Sequence, residues 1–310
     1  MSDHPFGHHS RQSFRALRSS ITLACVALAA SAFCTVSRAD EEATVLTSDA
    51  PPATTSRQHP LWELGVGVAG LRVPDYRGSD QNHSYLLPLP YVVYRGQWLR
   101  ADRDGTRALL IDIPRFELDI SVGASVPTNS THNVARRGMP DLPGTLEIGP
   151  NANIRLFGSD DRRFRLDLRL PLRAAFTIQR SPRGVGVTFS PNLNLDVANV
   201  AGGWNLGMLT GPLYGDRKQH ALFYTVDAAF ATADRPAYQA AGGYEGWRAL
   251  VATSRRFGNT WLGGFVRYDS LKGAVFADSP LVRRKDALSF GFGVSYVFAR
   301  SSELVNSTAD

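Results

Sequence analysis

Between Arg163 and Phe176 the chain alternates without a break. Phe164, Leu166, Leu168, Leu170, Leu172, Ala174 and Phe176 are apolar, and Arg163, Arg165, Asp167, Arg169, Pro171 and Arg173 stand between them. A period of two belongs to a strand, whose successive side chains leave on opposite faces; a helix would scatter the arginines around its circumference. Strands of soluble sheets usually run ~5–6 residues, whereas a tilted strand needs ~9–11 to cross a bilayer. This segment is long enough to cross.

The same register returns three times. Phe116, Leu118, Ile120, Val122, Ala124 and Val126 alternate with Glu117, Asp119 and Ser121. Leu146, Ile148, Ala152, Ile154 and Leu156 stand against Glu147, Asn151, Asn153 and Arg155. From Leu288 to Phe298 large apolar residues alternate with Ser289, Gly291, Gly293 and Ser295. Repeated long segments with one apolar face and one polar or glycine face are the mark of membrane barrels. The fold expected is all-β: a transmembrane antiparallel up-and-down β-barrel over residues 61–298.

Fourteen candidate strands can be threaded through that span, including 97–103, 106–113, 203–209, 221–231, 237–244 and 246–256. Merging the pairs across Asp102–Gly105 and across Gly242-Gly243 leaves twelve, so the expected number is 12 to 14. The long connections 71–84, 127–144, 210–220 and 269–286 all follow odd-numbered strands, which places them outside and the short turns in the periplasm. In this threading Trp62, Tyr94, Phe116, Phe157, Phe164, Phe257, Trp261 and Phe298 fall at the periplasmic ends as an aromatic girdle.

The address agrees. Arg11, Arg15 and Arg18 precede an apolar run from Ile21 to Ala32, and Ser37-Arg38-Ala39 offers a small-x-small cleavage site. Residues 1–39 therefore read as a signal peptide. Both cysteines, Cys25 and Cys34, lie inside it, so the mature chain forms no disulfide and holds no cysteine-ligated metal. Residues 40–60 are rich in Thr, Ser, Ala and Pro without a period, and read as a flexible periplasmic leader; 299–310 form a C-terminal tail. No window after residue 39 is apolar over 18 residues, which excludes a helical span. The signal segment carries four arginines and one aspartate, so its removal lowers the formal charge from +6 to +3. With no Lys/Arg block, nucleic acid is not an expected partner; outer-membrane lipid is.

Chemistry is sparse. His59, His83, His132 and His220 make no metal pair, and they read as solvated loop residues. Ser130-Thr131-His132 could suggest a hydrolase, but no pattern brings a base and an orienting acid to the serine. Asp102–Gly105 and Gly158–Asp161 lack the ligand set of a calcium loop and read as turns. No catalytic, cofactor or metal residue is expected. The informative residues are the candidate luminal charges Arg155, Arg163, Arg165, Arg169 and Arg173, with Glu117, Asp119, Glu147 and Asp167. They could form an anion-attracting pore. Nearly equal numbers of both signs favour a paired network, because pairing relieves the cost of a confined charge.

Several linked motifs carry a resemblance. They are Pro74–Ser79, Gly138–Pro143 followed by Leu146–Pro150, Leu170–Ala174, Arg235–Tyr238 with Gly242–Tyr244, and Asp278–Leu281. In this order they resemble the MipA/OmpV family of outer-membrane proteins, from about Trp62 to Phe298. The tail after Phe298 departs from barrels that end on an aromatic. The resemblance implies a non-enzymatic scaffold in the cell outer membrane, with a periplasmic lytic transglycosylase and a murein synthase as partners. A narrow channel for small anionic solutes and a surface adhesin are the alternatives.

Overall fold

The computed structural model describes residues 58–306 except 97, 98, 103, 104 and 162. The expected signal peptide, most of the leader and the last four residues lie outside the described residues. After a short β1 (Gln58–Pro60), the chain builds one antiparallel sheet. Its strands are β2 (Trp62–Pro74), β3 (Asn82–Arg95), β4 (Leu99–Asp102), β5 (Gly105–Ile113), β6 (Phe116–Ser125) and β7 (Thr145–Gly158). They continue with β8 (Phe164–Thr177), β9 (Gly184–Phe189), β10 (Asn192–Val200), β11 (Trp204–Gly215), β12 (Gly243–Phe257), β13 (Thr260–Ser270) and β14 (Asp286–Arg300). Neighbours in sequence pair, and β14 closes the ring on β2 from Phe290↔Arg72 to Arg300↔Glu63.

Strands β9 and β10 occupy one place in the ring. β10 pairs with the lower half of β8 and β9 with its upper half, and both reach β11 on the far side. The interruption is Ser190-Pro191, where proline offers no N–H to a ladder. The Pro191 carbonyl comes so close to Gly211 that a Cβ there would overlap it. The thirteen strands of the sheet therefore fill twelve positions.

The reduction from fourteen arises differently from the two merges weighed above. The β4–β5 hairpin stands, whereas 221–231 and 237–244 are not strands. They belong to a long connection, 216–242, that opens with helix α1 (Arg217–Tyr224). Asp216 caps that helix by accepting from the Gln219 amide at 2.7 Å, which starts a helical turn instead of a strand. β11 correspondingly extends to Gly215. The leader and tail also differ from expectation: β1 pairs with β15 (Leu304–Asn306) from Gln58↔Asn306 to Pro60↔Leu304.

The alternation sorts side chains as the sequence requires. Outward rows are apolar and open: Leu86 is 76% and Phe292 65% exposed. Aromatic pairs mark the short-turn end, Phe157 with Phe164 at 5.4 Å and Trp204 with Phe257 at 6.4 Å. Trp261 is not in this girdle. It is 1% exposed and turns inward, with Leu262 on the outer face.

Inside, the two halves differ. On β2 and β14 the inward positions are mainly small, including Gly65, Gly67, Gly291 and Gly293. Larger groups, Leu89, Tyr91, Val93 and Trp261, fill the lumen there with Ala69 and Val297. Arg95 and Arg256 both clamp the buried Glu63 at the lower end of this half. The other half, from β5 to β12, is polar and charged.

Gly263 should be a sensitive point of the packed half, because a Cβ there overlaps the Trp261 ring. We expect Gly263→Ala to cost about 1–3 kcal/mol, as overpacking does, and to lower the temperature at which the folded band disappears on unheated gels. Gly207→Ala is the control, since its Cβ would meet Asp196 at an ordinary 3.6 Å.

Candidate functional site

The charged half is a lattice strung across neighbouring strands. On β8, alternation turns Arg165, Asp167, Arg169 and Arg173 inward together. Arg165 lies 2.9 Å from Asp167 and 3.0 Å from Asp196 of β10. Arg169 lies 3.9 and 3.8 Å from the same carboxylates, and Arg155 of β7 is 3.8 Å from Asp167. Arg107 of β5 meets Glu117 of β6 at 3.1 Å. Asp119 accepts from the amides of Asn151 and Asn153 at 3.0 and 2.7 Å. Arg173 donates to the Ser121 hydroxyl at 2.9 Å, and Glu147 accepts from Thr188 at 3.2 Å.

Eight of the nine residues singled out from the sequence thus point into the lumen. Arg163 does not: its side chain is 60% exposed and lies 3.6 Å from Asp161. It precedes the first residue of β8 and belongs to the turn. There the Ser159 hydroxyl and the Arg163 amide hold the Asp161 carboxyl below its usual range.

Sequence reasoning missed the second node of the lattice. Asp269 of β13, its side chain 1% exposed, faces Arg248 of β12 at 2.9 Å, Arg267 at 2.8 Å and Arg77 at 3.2 Å. Arg248 and Asp269 are direct cross-strand partners. The Arg267-x-Asp269 spacing on one strand face was the available signal. The Arg77 and Arg267 contacts are charge contacts, since their Nε atoms make no aligned hydrogen bond at these distances.

Arg77 comes from above. The connections 75–81, 126–144, 216–242 and 271–285 all leave the same end of the barrel and pack into one apolar body. Its centre is Tyr224 stacked on Phe276 at 3.7 Å, with His220 edge-on to Phe276 at 4.6 Å. Tyr76 donates to the Leu281 carbonyl at 2.7 Å, and Tyr224 to the Arg77 carbonyl at 2.9 Å. Burial pushes both phenols well above their ordinary range. Burial opposes the Arg77 charge, but Glu245 and Asp269 outweigh it and raise its pKa. Burial lowers the pKa of Arg136, which donates to the Phe223 and Pro140 carbonyls.

The histidine and serine readings change accordingly. His220 is fully buried in this cap and donates from Nδ1 to the Ala241 carbonyl at 2.6 Å, so it is not solvated. His83 pairs with Asp75. The Ser130 hydroxyl donates to the Pro140 carbonyl at 2.7 Å and accepts from Arg136 Nε at 3.2 Å, a structural use. Among the described residues no group of three His, Cys, Asp or Glu side chains could hold a metal.

A cavity of about 380 Å³ remains in the charged half. Arg107, Arg115, Arg155, Arg165, Arg169, Arg173, Arg248 and Arg267 line it, with Asp112, Glu117, Asp119 and Asp167. Glu147, Asp196 and Asp269 lie among the same arginines, which leaves the interior nearly neutral. Such a site can orient a small anion.

Fold and site together define a capped up-and-down β-barrel with a half-filled, charge-paired lumen. The family described as MltA-interacting protein MipA matches residues 66–298, most of the chain. The chain belongs to that family. Among curated proteins no relative matches it. A solved structure described as a bacterial polysaccharide outer membrane secretin aligns with 78% of this chain and 99% of its own, at 8% identity and a TM-score of 0.40. That likeness is too slight to argue from.

The Asp269 node gives a direct test. Asp269→Asn leaves three arginines around a neutral amide, and breaking a buried pair costs about 3–5 kcal/mol. Added trypsin should then cut at Arg217 or Lys218 in the cap faster than in the parent protein. Unchanged cleavage would mean that the node does not hold the cap.

Proposed function

We propose that this chain resides in the outer membrane and serves, without catalysing a reaction, as a platform for murein-remodelling enzymes, a lytic transglycosylase and a synthase. The belt of exposed apolar side chains supports residence in lipid, where soluble proteins rarely expose so much contiguous apolar surface. The family description supports an interaction role. The observation that carries interaction over transport is the cap: apolar side chains from four connections close the end opposite the short turns, with Val226, Phe276 and Leu281 fully buried in it.

A periplasmic enzyme would meet the short-turn end. The turns there offer far less than the ~800 Å² per partner of a stable interface. The β1–β15 clip supplies an anchored edge beside them. The Leu61 amide donates to the Glu303 carbonyl at 2.9 Å and Arg95 donates to the Pro60 carbonyl at 2.9 Å, so leader and tail leave the barrel together.

Capture of a lytic transglycosylase by the purified barrel should therefore weaken several-fold when residues 304–310 are deleted, because β1 loses its partner. No capture at low salt after mild cross-linking would remove the scaffold role. In planar bilayers the intact protein should pass little current, and Arg77→Ala should raise it by freeing the cap from the wall. A steady anion-selective current from the unmodified protein, reduced by Arg165→Gln and Arg169→Gln, would instead establish the channel reading.

A further inference from the structure

The ring is not sealed evenly. β3 pairs with β2 along its whole length, but toward β4 its ladder holds Tyr94↔Ala101 and Arg95↔Arg100. β4 has four residues and only two residues separate it from β5, so the hairpin cannot climb β3. On the other bank the β5–β6 ladder ends at Arg107↔Ser121, while β6 runs on to Ser125. Among the described residues, no strand pairs with Leu86–Pro90 of β3 or Val122–Ala124 of β6 on the sides that face each other.

Hydrogen-bond parity shows what faces this breach. The Asp75 amide donates to the Gln81 carbonyl and the Arg95 amide to the Leu61 carbonyl. Odd-numbered residues of β3 thus bond to β2, and even-numbered ones turn their backbone away. Pro88 and Pro90 are even-numbered. Each lacks an N–H where an added strand would need one. By the same parity the Arg155 amide, donating to the Arg115 carbonyl, turns odd residues of β6 toward β7. Val122 and Ala124 therefore present their backbone to the breach, and both also line the luminal cavity.

The frame has chemistry on both sides. Outside stands Leu86, the most exposed large apolar residue among those described. Inside, Arg107 and Arg173 line the cavity behind the β6 bank. Above, Thr128 donates to the Asp75 carbonyl at 2.6 Å and Asn133 to Ser79 at 3.0 Å, which ties connection 126–144 across the top. Pro88 and Pro90 deny an added strand two of the N–H groups it would need, and the side chain exposed beside them is apolar.

We propose that the breach between β3 and β6 is a lateral entrance from the bilayer to the luminal cavity, and that it admits a single-chain anionic amphiphile of the fatty-acid class. Its hydrocarbon chain lies against Leu86, Pro88 and Pro90, and its carboxylate reaches the luminal arginines. This rests on the outer-membrane reading above.

The test uses the full mature chain in phosphatidylcholine liposomes with cis-parinaric acid as the probe and its methyl ester as the uncharged control. The acid should bind saturably and the ester at least ten-fold more weakly. Gly123 faces the lumen on the β6 bank, where a Cβ would meet Arg173 and Glu147 at an ordinary 3.5 Å. Gly123→Phe should fold, keep its heat-dependent gel shift, and bind the acid at least ten-fold more weakly. Pro88→Val with Pro90→Val restores two edge N–H groups and should turn a monomer into an edge-paired dimer. Absence of saturable binding, undiminished binding by a folded Gly123→Phe barrel, or a parent protein already dimeric through Leu86→Cys cross-links would overturn the entrance. Flotation with the liposomes is scored separately: its loss counts against membrane residence, and flotation without probe binding counts against the entrance alone.

Discussion

In a closed ring every strand must bond to two neighbours at once, and proline is where that requirement fails first. The wall contains three instructive cases. Pro191 falls at a point where the strand simply divides into β9 and β10, and Gly211 opposite lets its carbonyl approach. Pro88 and Pro90 fall at positions whose backbone turns away from the only full-length neighbour β3 has. In each case the missing N–H coincides with a place where the ladder is interrupted or absent. The residues that cannot pair therefore mark the irregularities of the barrel, and those irregularities are where its character departs from a uniform tube.

Alternation then decides what fills the tube. Small residues on β2 and β14 make room for Trp261, Tyr91 and Phe265, so half of the lumen is a conventional apolar core. The other half carries charge, and its cost is contained by pairing. Asp167 meets Arg155, Arg165 and Arg169, Asp196 meets the last two, and Asp269 meets three arginines of its own. Buried ion pairs of this kind contribute little net stability; their effect is on register. A slip of one residue between β12 and β13 would put Arg248 and Asp269 on opposite faces of the wall and turn one of the two charges outward.

Much of this was legible in the sequence because alternation is a local signal. The strand from Phe164 to Thr177, the inward arginines on it and the twelve-to-fourteen count all came from it. Arg163 failed because periodicity does not say where a strand begins. Trp261 failed because an aromatic at a strand end reads as girdle unless the neighbouring Gly263 is taken as space for it. The segment 221–231 failed because its few alternating apolar residues read as a strand, whereas Asp216 starts a helix just before it. The cap could not be read at all. Its contacts join segments far apart, Tyr76 to Leu281 across 205 positions, and no period runs through the four connections that build it. The β1–β15 clip likewise joins two ends that carry no pattern alone.

Arg77 connects these levels. Its carbonyl is held by Tyr224 in the cap, and its guanidinium reaches Glu245 and Asp269 in the wall. The apolar body above and the charge lattice below therefore share one side chain. Burial alone would disfavour the Arg77 charge, and the two carboxylates more than offset it. Withdrawing the cap would leave Glu245 and Asp269 with one arginine fewer; neutralising Asp269 would leave Arg77 buried with less to hold it. Each change penalises the other layer. That coupling makes the closed end a property of the whole barrel rather than of its loops.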